Sequence, residues 1–321
     1  MRFIDLHCDT VEEGLLYRPG TGLYDNPGHI SVPKLIEGDA FVQFFALMCP
    51  KPETAKRMGW AYKPYEMIGR CLDRYDSEME KNRAYLAPAR NVDEILKNRE
   101  NGKISGILAL EDGAPAESSL EKLREFYDRG VRSLTLTWNY ENCFGFPNSP
   151  DPAANARGLK PFGFEAIRCM NEWGILADVS HLSDGGFWDV VRCAEKPFIA
   201  THSCARALCP HPRNLTDEML KALGDKGGVV GVNFYACFLN EGSKYTRIAD
   251  IVRHADYMRN KAGIDAIALG SDFDGIDCEL EFRDYTGMPR IAEALSAKFT
   301  DDEIDKICSG NALRVLRECL K

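Results

Sequence analysis

Eight short runs of apolar, often β-branched residues recur along the chain, and stretches of helical period separate most of them. The runs cover residues 3–6, 40–47, 104–110, 133–137, 175–179, 197–201, 228–233 and 266–270. Several are almost continuously apolar, the pattern of a parallel strand covered on both faces. Segments 65–82, 118–129, 183–194, 216–223 and 247–261 read as helices between them, and 300–319 closes the chain as another. Ser118 with Glu121 reads as a capping box for the helix over 118–129. Eight strands joined by helices predict an α/β fold, a closed (β/α)8 or TIM barrel, where six or seven would favour an open doubly wound sheet. Segment 143–161 holds four prolines and reads as a surface loop. With no repeat, low-complexity tract or linker, residues 1–321 are expected to form a single domain.

The formal charge of −9 excludes nucleic acid and anionic lipid as natural partners, since both demand a basic surface. Hydrophobic residues make up 45% and charged residues 28%, an ordinary globular balance. The twelve cysteines form no C-x-x-C pair, and Cys71, Cys169, Cys193, Cys308 and Cys319 fall in apolar runs or predicted helices. The start, MRFIDLHCDT, lacks the apolar core of a signal peptide, and no apolar stretch is long enough to span a bilayer. A reduced, cytoplasmic protein with packed thiols and no membrane partner is the expectation.

The chemistry collects at the ends of the strands. His7 and Asp9 follow the first run, two residues apart and so on one face of an extended segment. Glu111 ends the third run, His181 the fifth and His202 the sixth, and Asp272 follows the eighth. Barrels of this class build their active sites at the C-terminal ends of their strands. A lone histidine there is usually a hydrogen-bonded structural residue, and a lone carboxylate usually caps a helix. Repeated histidines and carboxylates at apolar strand ends without a basic partner are costly to bury unless a cation is held. Imidazole and carboxylate donors without thiolates suit zinc or a similar divalent ion in a hydrolytic site.

Other residues rank lower. Cys8 is expected to point away from His7 and Asp9 and to pack. His29, His211 and His254 sit in loop or helical contexts that suggest surface roles. Asp272, Asp274 and Asp277 have the wrong spacing for an EF-hand. No phosphate-binding glycine loop and no G-x-S-x-G elbow occurs.

At this point the chain resembles the membrane (renal) dipeptidases, peptidase family M19. The matching pieces are DLHCDT, GHISVPKLIEGDAFVQFFAL, LALEDG, LTLTWN, DVSHLS, THSCARALCPHPRNLTDEML and IALGSDFDG, in family order from Asp5 to Gly275. The resemblance implies a dipeptidase, a metallopeptidase barrel with two zinc ions. His7 and Asp9 would bind one ion, His181 and His202 the other, with Glu111 bridging them. Arg213 matches the arginine that holds the dipeptide carboxylate. Asp272 matches the acid that handles the substrate amino group or a proton. A hydroxide generated between ions about 3.5–4 Å apart would attack the scissile carbonyl. The family's mammalian members carry, at the position of Trp138, a histidine that steadies the tetrahedral intermediate. Trp138 and Asn139 would stand in for it. Family habit also implies a homodimer. The alternatives are a related hydrolase of another small amide, cyclic imide or lactone, and a non-catalytic metal-binding scaffold.

Overall fold

The computed structural model describes residues 2–16, 20–49, 52–57, 59 and 61–321. Its main sheet contains nine strands, all pairings parallel. These are β1 (Phe3–Asp5), β2 (Ala40–Met48), β3 (Leu86–Pro88), β4 (Ile104–Glu111), β5 (Val131–Thr135), β6 (Leu176–Asp178), β7 (Ile199–Ser203), β8 (Val229–Val232) and, after a two-residue strand β9 (Tyr245–Thr246), β10 (Ile267–Leu269). Pairing runs β2, β1, β10, β8, β7, β6, β5, β4, and a further β2–β4 ladder closes the ring. The result is a (β/α)8 barrel, and each of the eight expected runs contributes a barrel strand.

The ninth strand has no counterpart in the sequence reading. β3 pairs with β4 along Ile104–Gly106, while β5 takes over the same edge from Leu108 onward. Three residues ending in proline carry too little apolar pattern to stand out. A second, two-stranded sheet joins β9 to β11 (Glu279–Leu280).

Alternation sorts the strand side chains between two cores. Val42, Phe44, Ile107 and Ala109 belong to one apolar cluster, while Phe45, Leu47, Leu108 and Leu110 belong to a larger one shared with the helices. Glu111 continues the parity of Ile107 and Ala109, which turns its carboxylate to the inside of the barrel. Each fully buried phenylalanine contributes about 2–3 kcal/mol of transfer free energy. The helix Asn311–Cys319 closes the N-terminal end: Asn311 donates to the Ile264 and Ile267 carbonyls, and Arg314 to the Gly227 carbonyl.

Helix starts are set by hydroxyl caps. Ser183 accepts from Gly186 N–H, Thr216 from Met219 N–H, and Thr300 forms a capping box with Glu303. The helix Leu120–Asp128 corrects the expectation built on Ser118. Its cap is Ser119, which accepts from Lys122 N–H, whereas Ser118 lies outside the helix in the left-handed region at φ 59. The closing helix is also not continuous, since a π-helical turn at Lys306–Gly310 interrupts it. Segment 143–161 is a loop as expected, apart from the single turn Pro152–Asn155 and Pro161, which starts the helix Pro161–Trp173. Where β7 meets its neighbours only glycine fits: a Cβ on Gly231 or Gly270 would lie 2.1 or 1.7 Å from the Thr201 carbonyl oxygen. No helix among the described residues is long and apolar enough to cross a membrane.

Candidate metal centre

Side chains far apart in sequence meet at the C-terminal mouth of the barrel. Glu111 stands in the middle, with one oxygen for each side. Its Oε2 lies 3.4 Å from His7 Nε2, and that nitrogen is 3.6 Å from Asp9 Oδ1. Its Oε1 lies 2.9 Å from His181 Nε2 and 3.7 Å from His202 Nε2. The two Nε2 atoms are 3.0 Å apart. Asp272 joins the first side, forming a metal-compatible group with His7 and Asp9. All of these side chains except Asp272 are under a tenth exposed.

Backbone geometry makes this convergence possible. His7 and Asp9 follow β1, and the Asp9 N–H donates to the Phe273 carbonyl, tying the first strand end to the last. Asp272 has φ 62, a left-handed conformation that Asp tolerates better than most residues. Gly275 must stay glycine, since a Cβ there would sit 2.0 Å from Asp9 Oδ2 and 2.8 Å from Asp272 Oδ1.

The electrostatics are those of a cluster short of positive charge. Burial alone would lower the His7 imidazole, but the Glu111 and Asp9 carboxylates outweigh it and hold it well above the usual histidine range. Burial and the Glu111 charge push Asp9 up. Burial also raises Asp272, against the pull of His7. Glu111 resists its own burial because His7 and His181 hold it well below the usual carboxylate range. Burial, helped by Arg213, pulls His181 down to about 4, and burial with the His7 charge lowers His202 well below the usual histidine range. Imidazole nitrogens and carboxyl oxygens therefore face one another in a buried cluster. His7 Nε2 and Asp9 Oδ1 are buried and find no hydrogen-bond partner among the described residues. This donor set fits divalent cations, which would satisfy both orphaned atoms and replace the proton drawn onto His7.

The histidines are held in the ligand tautomer from behind. Asp178 Oδ2 accepts from the hydroxyls of Thr135 and Thr201, each at 2.6 Å. With its hydrogen committed there, Thr201 Oγ1 accepts from His202 Nδ1 at 2.8 Å. The Nε2 lone pair of His202 is then free to face Glu111. Asn139 Oδ1 does the same for His181 Nδ1 at 3.1 Å. Sequence reading passed over Thr201 and Asp178, although a buried Asp inside the apolar run before His181 was a usable signal. Thr201→Val keeps the shape and removes the acceptor. It is expected to weaken divalent-metal affinity about 10–100-fold, by chelator competition, with Thr201→Ser restoring it.

A cavity of about 380 Å³ opens over the cluster, lined by Glu111, Asn139, Trp138, His181, Arg213 and Asp272 among others. Arg213 is 5% exposed; its Nη2 donates to the His202 carbonyl at 3.3 Å, while Nε and Nη1 have no partner among the described residues. Its guanidinium carbon lies 5.3 Å from the Phe238 ring centre. Asn233, also missed, donates to Asp272 Oδ2 at 2.9 Å. Trp138 lines the wall, its backbone N–H bonded to Asp112.

The remaining histidines divide. His29 accepts from Asp274 N–H and His211 from Arg213 N–H, both partly buried. His254 overturns the surface expectation. It is fully buried in the helix Ile248–Ala262, accepting from Ala205 N–H and donating to the Leu239 carbonyl. Those two bonds satisfy both ring nitrogens, which is why a polar ring is tolerated there. Cys8 packs, fully buried, as expected, and all twelve cysteines are free thiols.

Comparison with known proteins points the same way. Residues 1–321 match the family model described as membrane dipeptidase, peptidase family M19. An uncharacterized protein in the pqqA 5' region of Klebsiella pneumoniae is 42% identical over 234 residues, 70% of this chain and 85% of that protein. The dipeptidase tcpJ of Claviceps purpurea is 28% identical over 305 residues, 92% of this chain and 70% of that one. Among solved structures, a metallo peptidase from Rhodobacter sphaeroides, liganded with a phosphinate mimic of the dipeptide L-Ala-D-Ala, superposes with a TM-score of 0.87 at 27% identity, covering 99% of both chains.

Proposed function

For a chain that belongs to the membrane dipeptidase family, peptidase family M19, and is a metal-dependent dipeptidase, we propose that the centre holds two zinc ions, with the mouth of the barrel as the place where a dipeptide is cut. His7 and Asp9 would hold one ion, His181 and His202 the other, and Glu111 both. The observation that carries this reading is the division of the Glu111 carboxylate, one oxygen toward each pair of ligands. Bound there, the ions supply Lewis acidity, polarising a carbonyl and bringing the pKa of water toward neutrality.

The chain's own residues do the rest. The buried Arg213 guanidinium, with two N–H groups lacking an acceptor, suits a substrate carboxylate and would fix peptide length by charge. Asp272, oriented by Asn233 and raised by burial, would accept the proton from water and deliver it to the leaving amine. Trp138 and Asn139 would close the side of the site and exclude water from the reacting carbonyl. The metallo peptidase of Rhodobacter sphaeroides, which binds a dipeptide mimic, supports an occupant of that size.

Elemental analysis of protein purified without chelator is expected to give two equivalents of zinc. Dialysis against chelator should abolish hydrolysis of Ala-Ala, and zinc should restore it. A single equivalent in fully active protein would overturn the two-ion assignment.

A further inference from the structure

A second cavity, of about 180 Å³, shares Met48 and Trp138 with the first. Arg213, Tyr235 and Phe238 border only the first cavity. A dipeptide whose carboxylate lies on Arg213 keeps its C-terminal residue at that end. Its N-terminal residue would then have the rest of the first cavity to occupy, whose lining includes Met48 and Trp138.

The second cavity has its own chemistry. Tyr62, Trp138 and Tyr140 supply aromatic surface, and the Trp138 and Tyr140 ring centres are 5.6 Å apart. The titratable side chains facing it include Glu53, Asp112 and Glu141, and no Lys, Arg or His among the described residues lines it. Glu141 is engaged by Lys160 at 2.8 Å and by Arg157 at 3.5 Å. Asp112 accepts from the Ala114 and Trp138 N–H groups. Glu53, exposed in the first turn of the helix Pro52–Arg57, leaves an acidic rim over the aromatic walls. Aromatic faces attract a cation through their quadrupole, and the Glu53 carboxylate adds Coulomb attraction and repels an anion.

We propose that this cavity receives the side chain of the dipeptide's N-terminal residue and favours a long cationic one, lysine or arginine. The inference rests on the dipeptidase reading with Arg213 as the carboxylate anchor.

The test is kcat/KM of the metal-loaded enzyme for Arg-Ala, Leu-Ala, Glu-Ala and Ala-Arg, with Ala-Ala as reference. Arg-Ala is expected to exceed Glu-Ala by about 100-fold, combining cation–π and charge contributions. Glu53→Gln should lower Arg-Ala turnover about twofold to fivefold, and Tyr140→Ala by a similar factor, both leaving Ala-Ala unchanged. The cavity assignment falls if Arg-Ala is no better than Leu-Ala, if the cationic preference appears in Ala-Arg instead, or if neither variant affects Arg-Ala, while Ala-Ala is still cleaved. Failure to cleave Ala-Ala or any other dipeptide would instead remove the reading beneath it.

Discussion

Glu111→Gln is expected to lower kcat/KM for dipeptides by about 10³–10⁴-fold, the loss that follows when several kcal/mol of Lewis-acid stabilisation disappear. The substitution keeps the volume and one carbonyl oxygen but removes the charge that both sides of the cluster share. Glu111 Oε1 and Oε2 face different histidines, so one change weakens both halves of the centre at once. The readout independent of turnover is thermal stability. Adding divalent metal at a thousand times its Kd stabilises a one-site protein by about 4 kcal/mol. The wild-type chain should show a rise of that order or larger, and Glu111→Gln should lose most of it. Without metal the variant should be less stable than the parent, because it loses the charge that His7 and His181 hold ionised in the folded state. A variant with unchanged metal-induced stabilisation and unchanged turnover would remove Glu111 from the centre.

Arg213→Ala should lower kcat/KM for a dipeptide with a free C-terminal carboxylate by about 10²–10³-fold, since truncating one partner of a buried charged pair costs roughly 2–5 kcal/mol. The same dipeptide as its C-terminal amide should be a poor substrate for the parent and should lose less than about threefold in the variant, because no charge pair is broken. The split between acid and amide distinguishes a clamp from a scaffold. A merely structural arginine, holding the His202 carbonyl through Nη2, would cost both substrates equally. Equal losses on acid and amide would defeat the clamp assignment.

The two substitutions probe features that differed in how far they could be read in advance. The barrel was legible because a strand buried on both faces must be apolar almost throughout, and such runs stand out between helices of 3.6-residue period. β3 was not legible, since three residues on an edge need no such run. The cluster around Glu111 was legible because histidine and carboxylate are rare at the ends of apolar strands and costly there without a cation. His254 shows the limit of the same reasoning. Its helical context said surface, and only the packing of Ala205 and Leu239 against it shows a buried ring with both nitrogens satisfied.

What the linear chain determined by itself was the eight barrel strands, the closure class they imply, and the residue types at their ends, because burial and periodicity are local demands written residue by residue. Only the tertiary structure decided which ends are neighbours: that β4 lies between β2 and β5, that Thr201 stands between Asp178 and His202, and that Met48 and Trp138 border both cavities. Those relations depend on strand order and on side-chain directions across the barrel, distances of a few ångströms between positions tens to hundreds of residues apart, which periodicity along the chain does not encode.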